Sequence, residues 1–156
     1  MERGSHTHLQ DRRNETVLVY VNGKIVPRPD ARISVFDSGF LMGDGVWEGL
    51  RLHHGAIAFF DAHLTRLFEG AKAIDLDVGV SKQALRNAVY ETVEANGMED
   101  GVHIRLMVTR GQKTTPFQGP GVNFGQPTIV VIAEWKAPSA AVIAKGLRLF
   151  TVHVRR

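Results

Sequence analysis

Short runs of alternating apolar and polar residues open the regular part of the chain, and glycine or proline bounds each run. Residues 17–21 and 24–26 are two such runs around Asn22-Gly23, the pair most typical of a two-residue β-hairpin turn. Residues 47–52 and 56–60 form a second pair of runs around a short turn that contains glycine. The pattern therefore predicts two antiparallel hairpins in the first part of the chain.

Apolar residues then recur every three or four positions, which is the period of an amphipathic helix. The first such stretch covers residues 64–74, and Asp61 is expected to cap its N-terminus by accepting a hydrogen bond from a free backbone N–H. The second stretch covers residues 85–93, with Ser81 as its expected N-cap and Asn96-Gly97 as its stop signal. We therefore predict two main helices after the hairpins.

The rest of the pattern predicts two longer strands. Residues 102–109 alternate as a half-buried strand does, and residues 128–135 are almost continuously apolar and β-branched, as in a buried strand. Residues 114–126, rich in Gly, Pro and Thr, are predicted to form a loop between them. The fold class is thus α+β, with an antiparallel sheet and two main helices.

The same pattern divides the chain into four parts. Residues 1–16 are predicted to be a flexible arm, 17–135 a small N-terminal α+β domain, 136–146 an interdomain linker, and 147–156 the first strand of a C-terminal domain. Because a strand so close to the end has no partners left, we expect the natural protein to continue. The alternative is that this strand closes the sheet of a complete domain.

Composition and charge narrow the possible functions only slightly. The chain has 156 residues, no cysteine, 44% hydrophobic residues and a net charge of +3. This length can bury a core without disulfides, and the scattered basic residues argue against a nucleic-acid partner. No apolar run is long enough to span a membrane and no secretory signal is present, so we expect a cytoplasmic protein.

Residues 37–51 are unusually rich in glycine, with acidic residues between the glycines. Glycine weakens helices and strands, so its density here predicts a bent and crowded backbone that leads into the strand carrying Trp47. A plain glycine-rich turn between two ordinary strands is the alternative.

Four segments of the chain occur in an order that resembles one known family. They read Val-Tyr-Val-Asn-Gly-Lys at 19–24, Gly-Asp-Gly-Val-Trp-Glu-Gly-Leu-Arg at 43–51, His-Leu-Thr-Arg-Leu at 63–67 and His-Ile-Arg-Leu-Met-Val-Thr-Arg-Gly at 103–111. Together they resemble the N-terminal domain of class IV, pyridoxal-phosphate-dependent aminotransferases. The resemblance covers about residues 17–156.

This resemblance implies both an activity and an assembly. The implied activity is that of a transaminase, which uses pyridoxal 5'-phosphate to move an amino group between a branched-chain-like amino acid and a 2-oxo acid. The implied assembly is a homodimer with the cofactor between a small and a large domain. Two alternatives stay open: an aminodeoxychorismate lyase-like enzyme of the same family, and a non-catalytic domain that acts through protein contacts.

Arg66 is the residue that the resemblance assigns to the cofactor. In the family, the arginine of the matching segment binds the cofactor phosphate, and a guanidinium early in a helix suits a phosphate by charge and by paired N–H donors. The alternative is a solvated helix arginine, and His63 is expected to be structural. On the sequence alone, Arg66→Ala should leave folding almost unchanged, because alanine is the better helix former.

Four further residues are expected on the substrate side of the site. Trp47 matches a position where the family places a pocket Phe or Tyr, and Met42 one where some branched-chain enzymes place a tyrosine. Arg105 matches an arginine near the substrate carboxylate, and Arg110 is the alternative carboxylate ligand. The loop after the strand that carries Arg105 lacks the Arg and His that D-amino acid enzymes use. This absence weakens the interpretation of the chain as part of a D-amino acid aminotransferase.

The Schiff-base lysine of the family has no counterpart among the lysines of this chain. They are predicted in a hairpin, on helix surfaces, in a loop and in the linker: Lys24, Lys72, Lys82, Lys113, Lys136 and Lys145. The resemblance places the catalytic lysine beyond residue 156. We therefore expect no catalytic residue within this chain and no activity from the chain alone.

Overall fold

The computed structural model of the chain describes residues 11–136, 140–146, 150–151 and 153. Most of the expected arm, part of the expected linker and most of the expected strand at 147–156 lie outside the described residues. Among the helices described, none combines the length and apolar character needed to cross a lipid bilayer.

The strands form two antiparallel sheets within the described residues. The large sheet has six strands in the order β2-β1-β8-β5-β3-β4, and the small sheet pairs β6 with β7. The strands are β1 (Leu18–Val21), β2 (Lys24–Pro27), β3 (Gly45–His53), β4 (Ala56–Ile57), β5 (Val102–Thr109), β6 (Gln112–Lys113), β7 (Asn123–Phe124) and β8 (Thr128–Trp135).

Two long helices cover one face of the large sheet. The helices are α1 (Ser38–Met42), α2 (Phe60–Ala73), α3 (Lys82–Ala95) and α4 (Ala140–Lys145), with short 3-10 turns at Arg12–Thr16, Arg28–Asp30 and Pro120–Val122. The apolar stripes of α2 and α3 meet the buried side chains of β3, β5 and β8 in a single core. The helices lie on this face because successive strand residues point to opposite sides, so that β5 buries every second residue.

The other face of the large sheet carries a groove of about 590 Å³. Its lining includes Arg105, Met107 and Ile132, which alternate with the core residues of β5 and β8. No described helix covers this face, so the sheet has one closed and one open side.

Two asparagine side chains form hydrogen bonds with backbone groups at the ends of strands β1 and β8. They take the place of the neighbouring strand that these backbone groups lack. The Asn96 amide accepts a hydrogen bond from Leu18 N at 2.7 Å and donates one to Leu18 O at 2.9 Å. The Asn14 amide does the same for Trp135, at 2.8 and 2.9 Å. These amides fasten α3 and the first 3-10 turn to the sheet.

The α+β class and the two main helices are confirmed. The Asn22-Gly23 hairpin forms as predicted, with φ of 48° and 84° at its two turn residues. The α4 helix lies in the stretch expected to be linker, and residues 147–149 of the expected strand are not described.

Three local predictions are wrong. Asp61 does not cap α2, because the helix begins at Phe60 and its N-cap position is Phe59; Asp61 instead pairs with Arg86. The strand expected at 56–60 stops at Ile57, since the helix starts three residues later.

The third error concerns the expected loop at 114–126. The segment contains a 3-10 turn, and its end forms β7, which pairs with β6. Lys113, expected in a loop, lies in β6 and is buried, with its Nζ 2.9 Å from Asn123 Oδ1.

Candidate functional site

Strand β3 brings the candidate residues together along one edge of the sheet. It pairs with β5 along most of its length, but with β4 only at Leu52 and His53. Within the described residues, 45–50 have no strand on their other side. Because neighbouring side chains face opposite ways, Glu48 points to the helices and Trp47 to the open face. The candidate residues therefore lie on both sides of this edge strand.

On the helix side, Glu48 binds two residues of α2. Its Oε1 accepts from Arg66 Nε at 2.8 Å, and its Oε2 accepts from Arg66 Nη2 at 2.5 Å and from His63 Nδ1 at 2.7 Å. The Glu48 side chain is 3% exposed, whereas that of Arg66 is 69% exposed. The cluster thus has a buried anion beneath a cation that reaches solvent.

Hydrogen-bond chemistry fixes the proton on His63. A carboxylate only accepts hydrogen bonds, so His63 must carry a proton on Nδ1 to donate to Glu48. Arg66 Nη2 lies 3.4 Å from the same nitrogen, and because both atoms are then donors, no hydrogen bond joins them. Burial would raise the pKa of Glu48, but the hydrogen bonds from Arg66 and His63 outweigh it and hold this pKa below its usual range. Glu48 is therefore ionised at neutral pH.

One edge of the Arg66 guanidinium stays available. Glu48 occupies the Nε–Nη2 edge, and no described residue forms a hydrogen bond with Nη1. The Nη1–Nη2 edge can still donate two parallel hydrogen bonds, the arrangement that matches a phosphate or carboxylate. The cluster can therefore hold an anion at the solvent-facing side of α2.

On the open face, Arg105 stacks on Trp47. The guanidinium carbon lies 4.0 Å from the centre of the Trp47 ring, and Trp47 is 59% exposed. No carboxylate forms a salt bridge with Arg105 within the described residues. The cation is thus oriented by an aromatic face and keeps its hydrogen-bond donors available.

Arg110 is in a different situation, because four of its five N–H donors are already used. It forms a two-bond pair with Asp44, at 2.8 and 3.1 Å, and donates to the carbonyls of Ile74 and Asp75 at 2.7 and 2.5 Å. These contacts join the end of β5 to the end of α2. Met42 ends α1 and is 38% exposed.

The candidate residues therefore form two groups rather than one. Arg66 lies on the helix side of β3, and Trp47 and Arg105 lie on the open side. Glu48 was not among the predicted site residues, although its position directly after Trp47 on a strand indicates that it faces the core. A charged residue at a core position of a strand was the signal that could have identified it.

The lowered pKa of Glu48 leads to a pH-dependent stability. Because its folded pKa lies below the unfolded value, its contribution is present above that value and is lost as pH falls through the folded pKa. We expect the difference in unfolding free energy between wild type and Glu48→Gln to shrink as the pH falls below the ordinary glutamate pKa of 4.5 and through the lower pKa of folded Glu48. Urea unfolding across this range measures it, and a difference independent of pH would contradict the ionised pair.

Comparisons with known proteins cover most of this site. A family model described as amino-transferase class IV matches residues 45–156. The chain is 44% identical over 125 residues to branched-chain-amino-acid aminotransferase-like protein 1 of Arabidopsis thaliana, covering 80% of this chain and 22% of that protein. It is 39% identical over 93 residues to D-alanine aminotransferase of Listeria monocytogenes, covering 60% of this chain and 32% of that protein.

A solved structure shares the fold. The branched-chain aminotransferase of the thermophilic archaeon Thermoproteus uzoniensis, solved with norvaline, superposes with a TM-score of 0.65 at 28% identity, covering 76% of this chain and 40% of that one. A second matching structure, of a branched-chain amino acid aminotransferase, was solved with pyridoxamine 5'-phosphate. The chain spans less than half the length of each of these proteins.

Proposed function

The chain belongs to the class IV aminotransferase family, and on this basis we propose that it forms the N-terminal part of a transaminase that uses pyridoxal 5'-phosphate. The proposed reaction moves an amino group between a branched-chain-like amino acid and a 2-oxo acid. We further propose that the enzyme works as a homodimer in the cytoplasm. The names of the Arabidopsis and Thermoproteus relatives support the substrate class.

One observation carries the proposal: the exposed Arg66 guanidinium is held by buried Glu48 and keeps its Nη1–Nη2 edge open. This donor set fits the phosphate group of the cofactor by charge and by geometry. Arg66 lies in the second turn of α2, beyond the reach of the helix dipole, so the guanidinium itself would have to supply the attraction. When bound, the cofactor would supply an electron-accepting ring for chemistry at the substrate α-carbon.

The open face provides residues suited to an amino acid substrate. Arg105 has donors available for a carboxylate, and its stacking on Trp47 fixes its direction. Met107 and Ile132 line the adjacent groove and suit an apolar side chain. Arg105 is a better carboxylate ligand than Arg110, because four of the five N–H donors of Arg110 are bound to Asp44 and to backbone carbonyls. We propose Trp47 and Met42 as further substrate contacts.

The substrate class can be tested in the complete enzyme. We expect leucine, isoleucine and valine to transfer their amino group to 2-oxoglutarate, measured by the absorbance change of the cofactor in single half-reactions. Arg105→Gln should raise KM for the amino acid and leave the cofactor bound. Transfer from D-alanine but from none of the branched-chain substrates would contradict the proposed class.

This chain alone should form no specific covalent link with the cofactor. Lys113 is buried and hydrogen-bonded, and the other five lysines of the chain are exposed at the surface. We expect borohydride reduction in the presence of pyridoxal 5'-phosphate to label several exposed lysines weakly, as read by peptide mass spectrometry. Stoichiometric labelling of one lysine would contradict this.

A further inference from the structure

A group of metal-ligating side chains lies at the far end of β3, outside the residues used so far. His53 ends this strand, His54 begins the turn to β4, and Asp100 lies in the turn between α3 and β5. One ligand atom from each residue lies within 4.8 Å of the others. The described residues contain no other such group of His, Asp or Glu.

The backbone of the turn explains why two neighbouring imidazoles lie together. Successive side chains of a strand point to opposite faces, so adjacent histidines should lie far apart. Here His54 and Gly55 have φ of 47° and 76°, both in the left-handed region, as type I′ hairpin turns require. The turn brings the ring of His54 to the side of His53, and the two ring centres are 4.0 Å apart.

Asp100 is held in position against both rings. Its Oδ1 accepts a hydrogen bond from the backbone N–H of His54 at 2.9 Å and lies 3.0 Å from His53 Nδ1. Its Oδ2 lies 3.8 Å from His54 Nδ1. A second bond, from Gly55 N to Glu99 O at 2.8 Å, fastens the two turns to each other.

These distances match those between ligands that share one metal ion. Nitrogen and oxygen ligands about 2.0–2.1 Å from a tetrahedral zinc ion lie roughly 3.3–3.4 Å from one another. The distance from His53 Nδ1 to Asp100 Oδ1 is 3.0 Å and that from His54 Nδ1 to Asp100 Oδ2 is 3.8 Å, so each imidazole lies within about half an ångström of this spacing from one of the two carboxylate oxygens. The three side chains are 68%, 77% and 46% exposed, which leaves room for water to complete the coordination.

We propose that His53, His54 and Asp100 bind a divalent transition-metal ion of the class that prefers imidazole ligands, with Zn²⁺ as the representative. Two imidazoles and one carboxylate are typical ligands for such ions. The ion fastens the β3–β4 turn to the turn between α3 and β5. This site does not depend on the cofactor role proposed above.

The turn also offers a matched variant. The β1–β2 hairpin of the same chain makes the same kind of turn with Asn22-Gly23, at φ of 48° and 84°. His54→Asn therefore installs the residue that this turn prefers and removes one metal ligand. We expect it to fold with unchanged or higher stability in the absence of metal and to lose zinc binding.

The test is isothermal titration calorimetry with ZnCl₂ on the present chain. His6 and His8 can also bind zinc, so all variants are made in a background with His6→Ala and His8→Ala. We expect one zinc ion per chain in this background, and at least about tenfold weaker binding after His54→Asn, His53→Ala or Asp100→Asn. His153→Ala, an exposed histidine outside the group, should leave the affinity unchanged.

Thermal melts provide the second measurement. Zinc should raise the melting temperature of the background protein and not that of His54→Asn, since an ion stabilises only a fold that binds it. The proposal is overturned if the background protein binds no zinc, or if His54→Asn binds it as tightly as the background does. The proposal is equally overturned if His153→Ala loses zinc binding while the variants of the three proposed ligands keep it.

Discussion

Arg66→Ala in the complete protein should weaken cofactor binding by about ten- to a hundredfold and lower the melting temperature of the apo form by several degrees. The first effect follows from the proposed role of Arg66, because the variant would lose a charge-assisted bond to the cofactor phosphate. The second follows from Glu48, whose buried carboxylate would keep only His63 as a side-chain partner. Spectroscopic titration with pyridoxal 5'-phosphate and thermal melts of the apo form measure the two effects.

This expectation revises the one drawn from the sequence, in which an exposed helix arginine could be removed without cost to folding. Its control is Arg66→Ala in a Glu48→Gln background, where the stability loss should shrink because no buried charge is left unpaired. Arg12→Ala, an exposed arginine elsewhere, should change neither quantity. Unchanged cofactor affinity would show that Arg66 has only the structural role.

Gly111→Ala should lower the free energy of unfolding by roughly 3 kcal/mol or more. Gly111 has φ of 87°, and a Cβ atom at this position would lie 2.3 Å from the backbone oxygen of Gln126. That oxygen precedes β8 and cannot move without shifting the strand. The Gly111 carbonyl also accepts a hydrogen bond from Ser38 N at 2.8 Å, so the strain would reach the segment before β3.

Gly23→Ala provides the matched control for Gly111→Ala. Gly23 has almost the same φ, 84°, but nothing lies within 4 Å of a Cβ placed there. It should therefore show only the cost of a left-handed alanine, about 1–2 kcal/mol. Urea unfolding of both variants separates the conformational cost from the steric one, and equal losses would contradict the close approach of Gln126.

The fold was largely predictable because local patterns decide most of it. The Asn22-Gly23 turn needs positive φ at both positions, and few other pairs adopt it so readily. The alternation of residues 102–109 correctly indicated which side chains of β5 enter the core. These features depend on neighbours in the sequence, so the sequence alone reveals them.

The errors occur where distant contacts decide the outcome. Asp61 has the right chemistry for a cap, but Phe60 is buried in the core. Because this burial includes Phe60 in the helix, α2 begins one residue before Asp61, which therefore cannot cap it. Lys113 was expected in a loop because its partner Asn123 is ten residues away. A polar residue whose partner lies that far along the chain gives no local signal.

The candidate site was predictable in its parts but not in its arrangement. Resemblance proposed Arg66, Trp47 and Arg105 as site residues, yet only the structure shows that Arg66 lies on the helix side of the sheet and the other two on its open side. The alternation of β3 indicates that Glu48 faces the core, but its pairing with Arg66 also depends on the position of α2, which residue type does not give. The contacts of Arg110 with Asp44 and with two backbone carbonyls also could not be predicted from a sequence pattern.

The two-sided arrangement of β3 has a consequence for how such proteins diversify. On the open side, Trp47 can be replaced without disturbing the contact between Glu48 and Arg66 on the helix side. An inserted or deleted residue between Gly45 and Glu48 would instead exchange the two faces at once. Evolution can thus vary the residue at position 47 while the length of the strand stays fixed. Such a division suits a domain whose relatives include proteins named for branched-chain amino acids and for D-alanine.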